Sequence, residues 1–206
     1  RGIGHSCVYY HKAKDLRLVV HGDDFTALGS ELSAKWFSDA ICARFVAKVR
    51  GLIGPAKHHD KAIRILNRVI EWTSEGIVYE PDQRHAEIII NELGLNKESK
   101  SVVTPGVEEP VDDNDAPLSI KDATKYRRIA ARSNYLAQDR SDIQFGTKEV
   151  CKGMSNPVER DMPKLVRLGR YLIGKERLIL TFVYQGPLKH IDVTVDSDHA
   201  GDNVTR

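Results

Sequence analysis

Two adjacent carboxylates, Asp23 and Asp24, are the residues of this sequence whose types and spacing best suit binding of a divalent metal. Carboxylate oxygens are hard ligands of the kind that Mg²⁺ prefers. Neighbouring residues of a strand point to opposite faces, so only one of the two can face a given metal directly. The other would brace that ligand, or reach a second ion or the loop backbone.

The segments around this pair predict a β-hairpin. An apolar, β-branched run from Leu16 to Val20 precedes the acids, and a second apolar run follows them to Leu28. Gly22 can adopt the positive φ that a tight hairpin turn requires. A polar hairpin turn without chemistry is the alternative, because Gly and Asp are ordinary turn formers.

The composition is that of a soluble globular protein. Of 206 residues, 41% are hydrophobic and 29% are charged, and no apolar run approaches the ~20 residues of a membrane span. The first residues lack the apolar stretch of a signal peptide, so we expect an intracellular protein, cytoplasmic or nuclear, without a membrane partner. The chain starts with Arg1 rather than Met, which favours a piece of a longer protein. Cys7, Cys42 and Cys151 form no C-x-x-C pair, which favours a reducing compartment and argues against a zinc knuckle.

Periodicity predicts strands and helices in alternation along the first half of the chain. After a strand at residues 7–10 and the central hairpin, apolar spacing predicts a helix at 31–45 that packs on the hairpin sheet. Residues 47–53 are predicted to form a strand, and residues 63–72 and 77–80 a second hairpin. A helix follows at 82–93, with Gly94 as its C′ residue. His58, His59 and Asp60 are interpreted as an exposed loop rather than a metal site.

The second half is predicted to be mainly helical. Residues 97–118 have the composition of a linker, and the acids at 112–115 lack the Gly and the distal Glu of a calcium loop. One helix is expected around Tyr126–Ala137 with Asp122 as its cap, a second from Ser141 or Asp142 to Val150, and a third from Pro157 to Tyr171. Two strands are expected at 178–184 and 191–196.

Basic residues are grouped, although the net charge is only +2. They concentrate in residues 44–68, 127–132 and 160–170, whereas acids concentrate in 108–115. Such basic faces could follow nucleic-acid phosphates. Each group could equally be the solvated face of a helix.

Several segments, in one order, resemble the polymerase part of copia-type retrotransposon polyproteins. The family's apolar strand ending in Tyr-Val-Asp-Asp is similar to the segment that ends at Asp24, with His21 and Gly22 in place of Tyr and Val. Further similar segments are Gly76-Ile77-Val78-Tyr79, Val103-Thr104-Pro105, Tyr126-Arg127, Asn134-Tyr135-Leu136-Ala137, Arg140-Ser141-Asp142-Ile143, Met154-Ser155-Asn156-Pro157, Arg170-Tyr171-Leu172-Ile173-Gly174 and Val195-Asp196-Ser197-Asp198-His199-Ala200-Gly201-Asp202.

The resemblance implies an α+β fold with the organisation of a reverse transcriptase. Residues 1–80 would be a partial palm that contains the hairpin with the two acids. Residues 81–118 would be a thumb-like helix and linker, 119–174 thumb and connection helices, and 175–206 the first strands of a ribonuclease H-like domain.

The implied activity is that of an RNA-directed DNA polymerase with ribonuclease H. Polymerases join nucleotides with two Mg²⁺ ions (or Mn²⁺) about 3.5–4 Å apart. Asp23 is expected to be a direct metal ligand and Asp24 the weaker or supporting one, and Asp196 resembles the first metal-binding carboxylate of ribonuclease H. Asp198 and Asp202 are expected to be surface residues.

The implied partners are an RNA template, a DNA primer and deoxynucleoside triphosphates, and they would contact His21, Arg127, Arg128, Lys164 and Arg167. The family also has a metal-binding Asp on an earlier strand, for which nothing before Leu16 is suited. We therefore expect the isolated chain neither to polymerise nor to cleave. The competing hypotheses are a non-catalytic nucleic-acid-binding remnant and an unrelated soluble α+β domain.

Overall fold

A computed structural model describes residues 4–107, 116–186, 190 and 192–195. The chain forms two compact units, Arg1–Leu52 and Ile53–Arg206, which are described separately below. In the described residues, α-helices accompany two antiparallel sheets. The predicted α+β class is confirmed.

The first unit is a three-stranded sheet with one helix. Its strands are β1 (Val8–His11), β2 (Leu16–His21) and β3 (Asp24–Leu28), paired in chain order, and a 3₁₀ turn at Lys12–Lys14 joins the first two. Helix α1 (Glu31–Cys42) begins where the Ser30 hydroxyl accepts a hydrogen bond from the Ser33 amide. The helix ends three residues before the predicted boundary, because the Arg44 amide bonds the Ile41 carbonyl in a tighter turn.

The second unit contains a four-stranded antiparallel sheet in the order β4-β5-β6-β7. Its strands are β4 (Ala62–Ile65), β5 (Arg68–Trp72), β6 (Gly76–Glu80) and β7 (Leu180–Val183). Leu66 and Asn67 have φ of 48° and 65°, as the central residues of a type I′ turn do. The prediction of one continuous strand over 63–72 was therefore wrong, because this turn divides it into two paired strands.

Helices α2 (Arg84–Glu92), α3 (Ile120–Ala137), α4 (Gln144–Lys152) and α5 (Asp161–Gly174) form the hydrophobic core of the second unit. A 3₁₀ turn at Ser141–Ile143 precedes α4. Apolar residues at helical spacing supply the buried side chains. Those with the least exposure include Ile89, Tyr126, Ile129, Ile143, Leu165, Leu168 and Leu172.

Several predicted boundaries differ from the structure. The amide of Asp122 donates to the Ser119 hydroxyl, so Ser119 and not Asp122 caps α3. Helix α5 begins at Asp161 rather than Pro157, because the Asp161 carboxylate accepts from the Val158 amide and holds the preceding turn. Gly94, with φ of 74°, follows α2 as predicted.

Two predicted strands are absent from the described residues. Residues 47–52 join no ladder, and Ile53 forms only an isolated bridge with Asp60. Residues 192–195 have no strand conformation, and residues 191 and 196 lie outside the described part of the chain. An apolar alternating segment becomes a strand only where a neighbour completes its backbone hydrogen bonds.

The boundary between the two compact units lies between Leu52 and Ile53, whereas the first domain boundary predicted from the sequence lies at residue 80. Strand β7, which was expected to open a ribonuclease H-like domain, pairs with β6, with Tyr79 opposite Leu180. None of the helices in the described residues combines the length and apolarity needed to cross a membrane.

Candidate functional site

The hairpin predicted around Asp23 and Asp24 is present. His21 pairs with Asp24 across β2 and β3, so Gly22 and Asp23 are the two central residues of the turn. Gly22 has φ of 61°, and Asp23 does not share this positive value. Positive φ at the first central position is typical of a type II′ turn, in which glycine avoids the clash that a Cβ would cause.

The pairing register places Asp24 on the face of the sheet that α1 leaves open. Asp24 and Thr26 share a face with their partners His21 and Val19, and Phe25 lies on the other face. The rings of Phe25 and Phe37 lie 6.2 Å apart, so α1 packs on the Phe25 face. The open face carries exposed apolar side chains of Val8, Tyr10, Val19 and Leu28.

Asp24 has a cationic neighbour. The Arg50 Nη2 atom lies 3.7 Å from Asp24 Oδ1, with 73% of the Arg50 side chain and 36% of the Asp24 side chain exposed. This arrangement is a weak, solvated ion pair. Asp24 therefore remains accessible to solvent. The positive charge of Arg50 would repel any cation that bound to Asp24.

The two acids suit one hard cation better than a complete two-ion site. Mg²⁺ binds through one or two carboxylates and retains several waters, so the two acids match in number the protein ligands of one such ion. Within the described ranges, no third carboxylate, imidazole or thiol lies within ligand distance of both acids. Asp15, at the opposite end of β2, is about 20 Å from the turn at ~3.3 Å per strand residue.

Asp15 is also engaged locally. Its carboxylate accepts a hydrogen bond from the Tyr10 hydroxyl at 3.0 Å and pairs with Arg17 at 3.2 Å. It therefore supports the start of β2 and does not contribute to the turn. Asp196, Asp198 and Asp202 lie outside the described residues, as do the acids at 112–115.

The basic residues predicted to contact nucleic acid have partners within the second unit. Arg127 donates to the carbonyls of Met154 and Ser155, and Arg128 pairs with Glu92 at 3.1 Å. Lys164 lies 3.6 Å from Asp161, and Arg167 donates to Thr104. The acidic partners of Arg128 and Lys164 offset part of the positive charge of these groups, whereas the partners of Arg127 and Arg167 are neutral. His21 is exposed on the open face of the hairpin sheet.

Arg140, Asp142 and Tyr171 occur in the motifs quoted above, where Asp142 and Tyr171 were predicted as helix boundaries and none of the three was given a functional role. Arg140 is 1% exposed and donates two hydrogen bonds to Asp142, at 2.8 and 2.7 Å. It also donates to the carbonyls of Lys175 and Glu176, and the Tyr171 hydroxyl donates to Asp142. The group joins the turn before α4 to the end of α5.

A second network, which sequence reasoning missed, connects the sheet to the helices. The Asp139 carboxylate accepts from the Tyr79 hydroxyl at 2.6 Å and from Arg68 Nε at 2.8 Å. Burial, reinforced by the bond to Asp139, raises the pKa of Tyr79 to about 12. A shallow cleft of about 270 Å³ adjoins it, lined by Tyr79, Gln138, Asp139, Ser141, Gln144, Leu180 and Phe182.

Next to this network, Tyr135 projects beside α2. Its ring lies 4.7 Å from the His85 ring, and the Arg68 guanidinium lies 6.0 Å from its centre. Arg132 Nη1 and His85 Nδ1 are 3.2 Å apart. Arginine can only donate, so His85 Nδ1 accepts and the neutral ring carries its proton on Nε2.

Comparison of the chain with protein-family models, with curated proteins and with solved structures found no match.

Proposed function

We propose that the chain contributes the paired-acid hairpin of an RNA-directed DNA polymerase of the copia retrotransposon type. The observation that supports this most is the two-residue turn that presents Asp23 and Asp24 at the end of an antiparallel sheet, with Asp24 on the open face. The order of the similar motifs along the chain supports the same proposal.

In this role the two carboxylates hold a divalent cation at the turn, and the rigid hairpin fixes their position. Asp23 would be the direct ligand and Asp24, on the open face, the supporting one. When bound, Mg²⁺ or Mn²⁺ supplies charge stabilisation of the attacking and leaving oxygens in nucleotide transfer. His21 lies opposite Asp24 and would meet the primer on the same face.

The other parts of the proposal concern the second unit. Helices α2 to α5 would correspond to thumb and connection helices, and the residues after 175, with Asp196, to the start of a ribonuclease H-like domain. The first expected consequence is binding of an RNA–DNA primer–template. The second is that two acids without a third ligand do not suffice for catalysis, so nucleotide incorporation by this chain alone is not expected.

The test is the affinity of the purified chain for a fluorescent RNA–DNA primer–template with a deoxynucleoside triphosphate, measured by anisotropy in Mg²⁺ and in EDTA. We expect Mg²⁺ to tighten binding, and the double substitution Asp23→Asn, Asp24→Asn to remove this increment. Asp39→Asn, an exposed acid of α1, is the matched control and should retain it.

A Mg²⁺ increment that survives in the Asp23→Asn, Asp24→Asn variant would contradict the proposal. So would equal binding of the primer–template by all variants with no effect of Mg²⁺. Nucleotide incorporation by the wild-type chain that is lost in Asp23→Ala would support the polymerase assignment and refute the expected inactivity.

A further inference from the structure

The surface around Tyr135 combines an exposed aromatic ring with arginines on two adjoining helices. Tyr135 is 43% exposed, although it is a large aromatic residue in the last turn of α3. Contacts between Arg132 and His85 and between Arg128 and Glu92 show that α2 and α3 lie side by side and antiparallel. On α3, residues spaced by four and three share one face, which here carries Arg128, Arg132 and Tyr135.

Among the described residues, Arg132 differs from the other arginines of this surface in having no acidic partner. Arg68 bonds Asp139, Arg84 bonds Asp82, and Arg128 bonds Glu92. Arg132 approaches only the neutral acceptor Nδ1 of His85, and among the described residues its buried Nε has no hydrogen-bond partner. Its positive charge is therefore available to an anion beside Tyr135.

Tyr135 is supported as a flat platform. His85 lies against it at 4.7 Å with the ring planes tilted by 47°, and Arg68 approaches it at 6.0 Å. Arg68 is itself fixed by Nε and Nη2 bonds to Asp139. The ring is therefore held in place before any ligand arrives, which lowers the entropic cost of stacking on it.

We propose that Tyr135 and Arg132 form a binding site for one nucleotide of a single-stranded nucleic acid. The base would stack on the exposed ring of Tyr135, and the adjacent phosphate would pair with Arg132. Proteins bind single strands without sequence preference by this combination of aromatic platforms and cationic side chains. A paired duplex hides its base faces, so the site favours unpaired strands.

This inference shares its class of partner with the proposed function but depends on neither the hairpin nor a metal. Its test is therefore carried out in EDTA with the whole chain and a fluorescent oligo-dT of twenty nucleotides. Tyr135→Ala should weaken binding by about 5- to 150-fold, the range that corresponds to loss of one stacked base. Tyr135→Phe keeps the ring and should restore binding to within about twofold.

Two controls separate stacking from general effects. Phe145→Ala removes an aromatic ring that is more exposed than Tyr135, at 59%, from α4 and should leave the affinity unchanged. Arg132→Gln should weaken binding and reduce the slope of log affinity against log salt by about 0.7. Lys121→Gln removes the same charge from the start of α3 and should not reproduce the loss of affinity.

The wild-type chain alone provides a further measurement that needs no variant. An abasic strand of the same length should bind more weakly than oligo-dT, and a duplex should also bind more weakly. Equal affinity for the normal and abasic strands, or for Tyr135→Ala and wild type, would overturn the proposal. Asp23→Asn, Asp24→Asn should bind oligo-dT normally, so failure of the hairpin proposal and failure of this one are distinguishable.

Discussion

Arg140 and Asp142 form a buried two-point ion pair at the start of the 3₁₀ turn before α4. Nε and Nη2 of Arg140 donate to the two oxygens of Asp142 at 2.8 and 2.7 Å, and only 2% of the Arg140 side chain is exposed. Burial acts to raise the pKa of Asp142, but the bonds and charge of Arg140 outweigh it, so this pKa is lowered. The pair stays ionised within the protein interior.

Replacing Arg140 should destabilise the second unit strongly. Arg140→Ala removes the cation from Asp142, which keeps only the Tyr171 hydroxyl as a side-chain donor, and it also removes the donor of the Lys175 and Glu176 carbonyls. Removal of one member of a buried ion pair costs about 3–5 kcal/mol. Arg140→Lys restores the charge but not the planar two-point geometry, so it should recover only part of the loss.

Urea unfolding measures this loss as a lower transition midpoint. Arg177→Ala is the control, because it removes an equally well-formed two-point pair, with Glu80, from an exposed arginine. We expect a much smaller shift for that variant. Equal shifts for the two variants would contradict the claim that the buried pair of Arg140 contributes more to stability than the exposed pair of Arg177.

Tyr79 should make the stability of the protein fall at high pH. The folded state holds the Tyr79 proton more tightly, with a pKa of about 12, than the unfolded chain does at about 10. Its contribution is therefore complete below pH 10 and is lost as the pH rises to 12. Melting temperatures between pH 9 and 12 should decline more in wild type than in Tyr79→Phe.

His85 should add sensitivity to acid. Burial lowers its pKa, Asp82 acts in the opposite direction, and the charges of Arg132, Arg84 and Arg68 lower it further. A lowered pKa in the folded state gives stability that is complete above the ordinary value of about 6.5 and is lost as the pH falls below it. Protonation also removes the acceptor that Arg132 uses.

The control for this prediction is the His85→Gln variant, because the glutamine side chain offers a hydrogen-bond acceptor that does not titrate between pH 7 and 5. Between pH 7 and 5, wild type should lose more of its free energy of unfolding than the variant does. Parallel curves for the two proteins over that interval would contradict the assignment.

Arg50 should weaken cation binding at the hairpin. Its guanidinium lies 3.7 Å from Asp24, so a bound cation experiences its repulsion. Arg50→Gln should therefore lower the dissociation constant for Mn²⁺ by about twofold to fivefold, as expected for an exposed pair worth less than ~1 kcal/mol. Water-proton relaxation measures the Mn²⁺ dissociation constants of wild type and Arg50→Gln at low and at high salt. The difference between the two constants should shrink at high salt. No change at low salt would contradict the interaction.

The hairpin could be predicted from sequence because its determinants are local. Alternating apolar residues and Gly22 specify both strands and the turn without reference to the rest of the chain. The turn at Leu66 and Asn67 was missed because it contains neither Gly nor Pro, and Leu66 adopts a positive φ that few such residues do. The sequence analysis predicted Asp122 as the cap of α3 and missed Ser119. Asp122 is instead the third residue of the helix.

The networks of the second unit could not be predicted because their members are distant in sequence. Asp139 meets Arg68 and Tyr79 across 71 and 60 positions, and no local periodicity connects them. The motif residues Arg140, Asp142 and Tyr171 were visible, but their burial depends on the packing of α5 against the helices before it. Arg127, Arg128, Lys164 and Arg167, which were predicted to contact nucleic acid, lie on α3 and α5 and have partners within the second unit, which their local sequence does not reveal.

The central claim is that Asp23 and Asp24 together bind a divalent cation, and Mn²⁺-induced broadening of backbone amide signals tests it most directly. The account predicts that substoichiometric Mn²⁺ broadens the signals of Gly22, Asp23 and Asp24 first, and that Asp23→Asn, Asp24→Asn abolishes this while Asp39→Asn does not. Broadening elsewhere in the chain, with the turn unaffected, or broadening of the turn that persists in the double variant, would contradict it.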